Sequence, residues 1–439
     1  MKFLSSRYAC LVATSFEWVP ATVFCFLLIC CQAALAVPDH GNDTELSFTS
    51  PLISLMGIKD LSLGQALPEN FSLSEKFQRS ACDGGYMKID SKGNLEITAA
   101  LQGVLPFPNC NEDGTISPEP TLLDGYKLLW NSESHWWRKG YLRVSGQVKT
   151  WDDASEQKVL FRFDRAYPHF LPGFPKNQLS RDRLSIYGGQ MERGISWMTF
   201  RIIGREEDLV WAYSPVINQT RKIAGINRED LLLESAVAAV DFPFWSRKTS
   251  DLALESIQYE TQLIPLSVQL QGSETEASSG CVSIPQSAYT GVDNIPLFSS
   301  DGGIERLRQR LHSEKFYPRR VAVLTLVSKN PYLQRAREVL VIDRDLHIPV
   351  LSLSYDVLGE VHHIAYQVIG LFQSDTERWP LVKSQVFFDY SRGVLSEVSV
   401  FSTDWCDVDK AKLDALQPSA IIRPTSVKPI HGQRREMAE

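Results

Sequence analysis

From Tyr126 onward the chain keeps returning to one pattern, a short run of β-branched and aromatic residues closed by Gly, Pro or Asp. YLRVSGQVKTW, KVLFRFDRA, RLSIYGG, ISWMTFRIIG and LVWAYSPV follow one another in this way. RRVAVLTLVS, REVLVIDRD, HIPVLSLSYD, EVHHIAYQVIGLF and KSQVFFDYSRGVLSEVSVF resume it after residue 319. Runs of this length and composition between turn residues are antiparallel strands. Alternation puts Ile195, Trp197 and Thr199 on one face of a strand and Ser196, Met198 and Phe200 on the other. Both faces carry bulky groups, so the sheet is expected to be covered on both sides there.

The pattern is interrupted in three places. Residues 222–255 hold a helix or loop around Arg228 to Val240 and an aromatic cluster, Phe242, Phe244 and Trp245. Residues 271–300, rich in Ser, Gly, Thr and Glu, read as an exposed loop. Ile304 to Phe316 reads as a helix, with Ile304, Leu307 and Leu311 at helical spacing. Before residue 121 the chain reads as short helices and loops, with turn signals at Asp83-Gly84-Gly85 and in the polar run 109–120. The expected organisation is a signal at 1–36, an irregular wrapping segment at 37–120, a β domain at 121–412 and a flexible tail at 413–439.

The amino terminus directs the chain out of the cytoplasm. Lys2 and Arg7 precede the apolar run ATVFCFLLICCQA, which ends at Ala34-Leu35-Ala36, a small-residue cleavage pattern. The run is shorter than the roughly 20 residues of a spanning helix. Cleavage after Ala36 leaves Cys82, Cys110, Cys281 and Cys406, an even number in an oxidising space. Three pairings are possible, and four buried thiols are the alternative. Cys82 and Cys110 are close in sequence and favoured as partners, which leaves Cys281 with Cys406. A net charge of −7 and no basic stripe exclude nucleic acid as a partner.

The standard catalytic signatures are absent from the sequence: there is no Gly-x-Ser-x-Gly, no His-Glu-x-x-His and no phosphate-cradling Gly-x-x-x-x-Gly-Lys. His362 and His363 are neighbours on a strand and point to opposite faces, which does not suit one metal ion. No catalytic residue, metal ligand or cofactor is assigned.

PFP at 106–108, GYKLLWN at 125–131, LVWAYSPVINQTRKI at 209–223 and DFPFW at 241–245 together resemble a family of exported bacterial proteins of unknown function. RRVAVLTLVSKNPYLQRAREVLVIDRDLHIPVLSLSYDVLG at 319–359 agrees with it. That family is similar to outer-membrane lipoprotein-sorting proteins of the LolA/LolB type. The resemblance implies a mainly β (α+β) fold, a curved antiparallel half-barrel closed by a few helices around an apolar cavity, in the periplasm. Trp197, Trp211, Tyr213, Phe242, Phe244 and Trp245 are the expected lining or lid. Core filling is the plainer reading of each.

The resulting expectation is a periplasmic carrier or chaperone for a lipid, a lipoprotein acyl chain or another hydrophobe, working with envelope transport proteins. An accessory subunit of an envelope assembly and a secreted hydrolase are the alternatives.

Overall fold

The computed structural model describes residues 51–58, 61–64, 67, 71, 87–90, 94–97, 107, 119–134, 138–152, 155–174, 177–188, 191–205, 207–267, 275–277, 280–284, 289, 303–373 and 378–421. The signal at 1–36, Cys82 and Cys110 lie outside them. The short elements α1 (Pro51–Met56), β1 (Met87–Ile89) and β2 (Leu95–Ile97) belong to the wrapping segment. Helix α2 (Leu122–Ser134) then opens the main body.

One antiparallel sheet dominates. Its first half is β3 (Gly140–Trp151), β4 (Glu156–Ala166), β5 (Gln178–Gly188), β6 (Met191–Ile202), β7 (Leu209–Ser214) and β8 (Gln219–Ile223). The second half is β9 (Leu252–Ser267), β12 (Phe316–Ser328), β13 (Arg337–Asp343), β14 (Ile348–Tyr355), β15 (Val361–Gln373), β16 (Arg378–Asp389) and β17 (Val394–Asp407). The strands lie in the order β14-β13-β12-β9-β15-β16-β17-β3-β4-β5-β6-β7-β8, so the carboxy-terminal β17 joins the halves by pairing with β3. A second β14–β15 pairing and a short parallel β9–β15 contact turn β9, β12, β13, β14 and β15 into a closed ring. The fold class agrees with the sequence reading: mostly β, with a large curved sheet and a few helices.

Antiparallel pairing also fixes which connections share an end of the sheet. Trp151 opposes Leu395, Gly188 opposes Met191, and His363 opposes Asp389. With Arg337 opposite Tyr355, these pairs bring the β3–β4, β5–β6, β7–β8, β12–β13, β14–β15 and β16–β17 connections to one rim.

Four local expectations are corrected. The chain is not yet strand at Tyr126, because Thr121 and Asp124 cap a helix reciprocally: the Asp124 amide donates to Thr121 Oγ1 at 3.3 Å and the Thr121 amide to Asp124 Oδ2 at 2.9 Å. Gly125 lets that helix touch β9, since a β-carbon there would lie 2.3 Å from Leu254. Helix α3 (Gly303–His312) ends before Phe316, which already pairs with Pro265 as strand. Within 271–300, β10 (Thr275–Ala277) and β11 (Cys281–Ile284) form a hairpin, and β11 pairs with β17. The tail is held as far as residue 421: Leu413, Leu416 and Ile421 are buried, and α4 (Lys410–Ala415) is capped by Asp409, which accepts from the Lys412 amide at 2.7 Å.

The Cys281–Cys406 disulfide, which the sequence left as one of the possible pairings, is present and fastens β11 to β17 with its α-carbons 4.0 Å apart. No described helix is long and apolar enough to cross a membrane.

Candidate functional site

Alternation along the paired strands gathers one inner face. Phe161 and Phe163 of β4 share it with Leu184 and Ile186 of β5, Val148 and Thr150 of β3, Ser396 of β17, Gln385 and Phe387 of β16 and His363 of β15. The connection from β8 to β9 runs across this face as an irregular strap, Leu231 to Arg247, with only a short three-ten turn at Ala239–Asp241. A continuous helix cannot make these contacts, because successive residues are needed by partners on different strands.

Both apolar and polar contacts hold the strap. Phe242 packs on Phe161 and Phe163 with ring centroids 5.0 and 6.3 Å apart, and Phe244 lies 6.0 Å from Phe387. The Ala236 amide donates to Ser396 Oγ at 2.9 Å, while the Ala236 carbonyl meets His363 Nε2 at 2.8 Å. Trp245 Nε1 donates to Glu338 at 2.8 Å, and Arg335 makes a two-point contact with Asp241 at 2.8 and 3.1 Å. Gln385 donates to the Pro243 carbonyl.

Charge is buried on the same side. Arg165, with no exposed surface, clamps Asp182 at 2.9 and 2.7 Å, reaches Glu133 of α2 at 3.0 Å, and donates to Ser246 Oγ at 2.6 Å. Arg201 shares Glu133, Arg228 pairs with Asp208 at 2.6 Å, and Arg247 bridges Glu229 and Glu338. Lys248 lies 3.8 Å from Asp208. Six cations (Arg165, Arg201, Arg228, Arg247, Lys248 and Arg335) thus face six carboxylates (Glu133, Asp182, Asp208, Glu229, Asp241 and Glu338).

Burial opposes the charged forms of Asp182 and Asp241, yet Arg165 and Arg335 override it and hold both carboxyls below their ordinary value. Burial, reinforced by the Arg335 charge, pushes His363 down to about 4. His363 is therefore neutral at pH 7, with Nε2–H as the donor to Ala236.

Between strap and sheet lies a narrow cleft, with room for about one water molecule as the strap now lies. Val148, Val159, Ile186, Leu232, Leu233, Val237 and Phe242 give it apolar walls, with Thr150, Gln157 and Ser235 as polar members. Val148, Thr150, Gln157, Val159 and Ile186 are at the rim ends of β3, β4 and β5.

The six side chains singled out from the sequence do not form one group. Phe242, Phe244 and Trp245 are buried on the inner face, and Trp197 packs against the same core from β6. Trp211 and Tyr213 face the other way, in a small cluster with Met198, Phe200 and Ile421. Alternation predicts that Trp211 and Tyr213 share a face; which face depends on the β6–β7 register, where Trp211 opposes Met198. Arg221 and Lys222 are exposed on β8. Among the described residues no group of His, Cys, Asp and Glu is arranged to hold a metal ion.

The buried ion pairs escaped the sequence reading. Their signal was a charged residue at an inward position of successive strands, Arg165, Asp182 and Arg201, which is visible only once the register is known.

No family model and no curated protein matches the chain. Solved structures do. A domain of an outer membrane lipoprotein-sorting protein from Vibrio parahaemolyticus aligns over 68% of this chain and 97% of its own, at 9% identity and a TM-score of 0.44. A DUF1329 family protein from Desulfovibrio piger aligns over 68% and 98%, at 12% identity and a TM-score of 0.43. A LolA superfamily protein from Nitrosomonas europaea aligns over 65% and 94%, at 14% identity and a TM-score of 0.36. At such values the architecture rests on the strand register alone.

Proposed function

We propose that the chain is an exported, non-catalytic carrier or chaperone for a lipid, a lipoprotein acyl chain or another hydrophobe, acting in the periplasm. The observation that carries this reading is the apolar cleft between the inner sheet face and the Leu231–Arg247 strap. Entry of a cargo requires the strap to lift from the sheet, and each CH₂ of a cargo entering beneath it would gain about 0.8 kcal/mol toward that cost. The uncharged, mostly apolar walls of the cleft favour an apolar cargo over an anionic one. The Cys281–Cys406 bond is consistent with an oxidising compartment.

The second reading, an accessory subunit that binds protein partners, is favoured by how well the interior is filled: Phe242, Phe244 and Trp245 occupy much of the inner face. Native mass spectrometry of protein drawn from the envelope separates the two. A co-purifying hydrophobe, displaced by a fluorescent fatty acid, is expected. A bare-chain mass with no uptake of the apolar probe would sink the carrier reading, and a stoichiometric protein companion would favour the accessory subunit.

A further inference from the structure

The large apolar side chains that stay in solvent are unevenly placed. Ten are exposed among the described residues, and six of them, Val216, Ile217, Tyr332, Val357, Leu358 and Tyr390, sit in connections at the single rim fixed by the strand register. Four are extreme: Val216 is 89% exposed, Tyr332 86%, Leu358 81% and Val357 71%. The six come from four separate connections, so they are individual fingertips and not one continuous patch.

Three of the four turns that carry them close hydrogen bonds on their own backbones. Asp356 Oδ1 accepts from the Leu358 amide at 2.8 Å and from Glu360 at 3.0 Å, the Gly359 amide donates to the Asp356 carbonyl at 3.1 Å, and the Asp356 amide donates to Glu360 at 3.0 Å. Asp389 Oδ1 accepts from the Ser391 and Arg392 amides, and the Tyr390 amide donates to the His362 carbonyl. The Tyr332 amide donates to Asn330 Oδ1 at 3.0 Å. A turn with closed hydrogen bonds enters a medium without water at little cost, whereas an open one loses several kcal/mol per bare group.

We propose that this rim docks on the surface of a lipid bilayer, with the apolar tips seated among head groups and upper acyl chains. A protein partner needs a contiguous apolar centre with matched shape. A fluid interface needs neither, and it suits tyrosines, which favour the boundary between water and hydrocarbon. The charges close to the tips are mixed: Arg392 is paired with Asp389 and Arg337 with Glu255, while Asp356 and Glu360 flank the Val357–Leu358 tip. Attraction is therefore apolar and only weakly dependent on salt. The cleft walls reach the same rim, so docking would bring that end of the inner face to the membrane.

The test is sedimentation of the mature protein with phosphatidylethanolamine–phosphatidylglycerol vesicles, at low and high salt and with no cargo added. Wild-type protein should sediment with vesicles under both conditions. Leu358→Asp should weaken partitioning about tenfold, and Val216→Asp with Leu358→Asp further, in line with the transfer cost of one and two aliphatic side chains. Leu63→Asp is the control, because Leu63 is 64% exposed but bridges Phe316 at the opposite end of the sheet. Melting temperatures should be unchanged in all three variants. The proposal is overturned if the wild type does not sediment, if the tip variants bind as well as it does, or if Leu63→Asp loses as much as Leu358→Asp. Vesicle binding is read without cargo, so its failure leaves the carrier measurement standing.

Discussion

Trp245 and Trp211 test the two faces of the sheet separately. Trp245 is buried on the inner face with its indole donating to Glu338, and Trp211 is half-buried on the outer face against Phe200 at 5.0 Å. Loss of a tryptophan from a packed core costs about 3–5 kcal/mol. If the strap yields to cargo, Trp245→Ala should cut fatty-acid uptake far more than it lowers the melting temperature. Trp211→Ala should lower the melting temperature and leave uptake alone. The reverse ranking would make both residues core filler.

Histidines set the acid limit of the fold. Burial holds His169, His347 and His363 at about 4 against an ordinary 6.5, and His362 shifts in the same direction. The unfolded chain takes up these protons first as pH falls, so the stability they contribute is complete above 6.5 and is lost as pH drops toward 4. Melting temperature should fall over that interval, at about 1.4 kcal/mol per pH unit for each histidine. His363→Gln keeps a donor for Ala236 and should make the decline shallower; an unchanged slope would show that His363 takes no part.

Among the elements, the strap and the β10–β11 hairpin make the sharpest predictions. Removing one member of a buried ion pair weakens the hold on the other, so Asp241→Ala should cost about 3 kcal/mol by taking the two-point partner from Arg335 and leaving it Glu229 at 4.0 Å. A loss below about 1 kcal/mol in urea unfolding would mean that the strap is not anchored there. Reducing Cys281–Cys406, whose residues are 125 apart in sequence, should cost about 5 kcal/mol by the chain-entropy model. Thermal melts with and without reductant measure it. The strands were legible because turn residues and β-branched runs announce themselves locally. Helix α2 was not, although Thr121-Leu122-Leu123-Asp124 is a readable start signal, because its apolar residues merge with those of the strand that follows. The strap was noticed for its aromatics, but its path depends on Ser396, His363 and Glu338, residues about 90 to 160 positions away.

At the scale of the whole molecule, local pattern names the strands and leaves their order open. Pairing of β17 with β3 across some 240 residues decides the curvature, the inner face and the rim, and no window of sequence contains it. That is also why the apolar fingertips are brought together only by the register.

The ring of β9, β12, β13, β14 and β15 has a further consequence, for life among unfolded neighbours. A sheet that ran open at both ends would offer two templates on which a stray polypeptide could add a strand. Here the β14 end folds back onto β15, the β8 end is five residues long and presents Gln219, Arg221 and Lys222 to solvent, and the side branch ends in β10, only three residues long. Strand exchange and fibre growth therefore find little purchase on these two ends of the sheet.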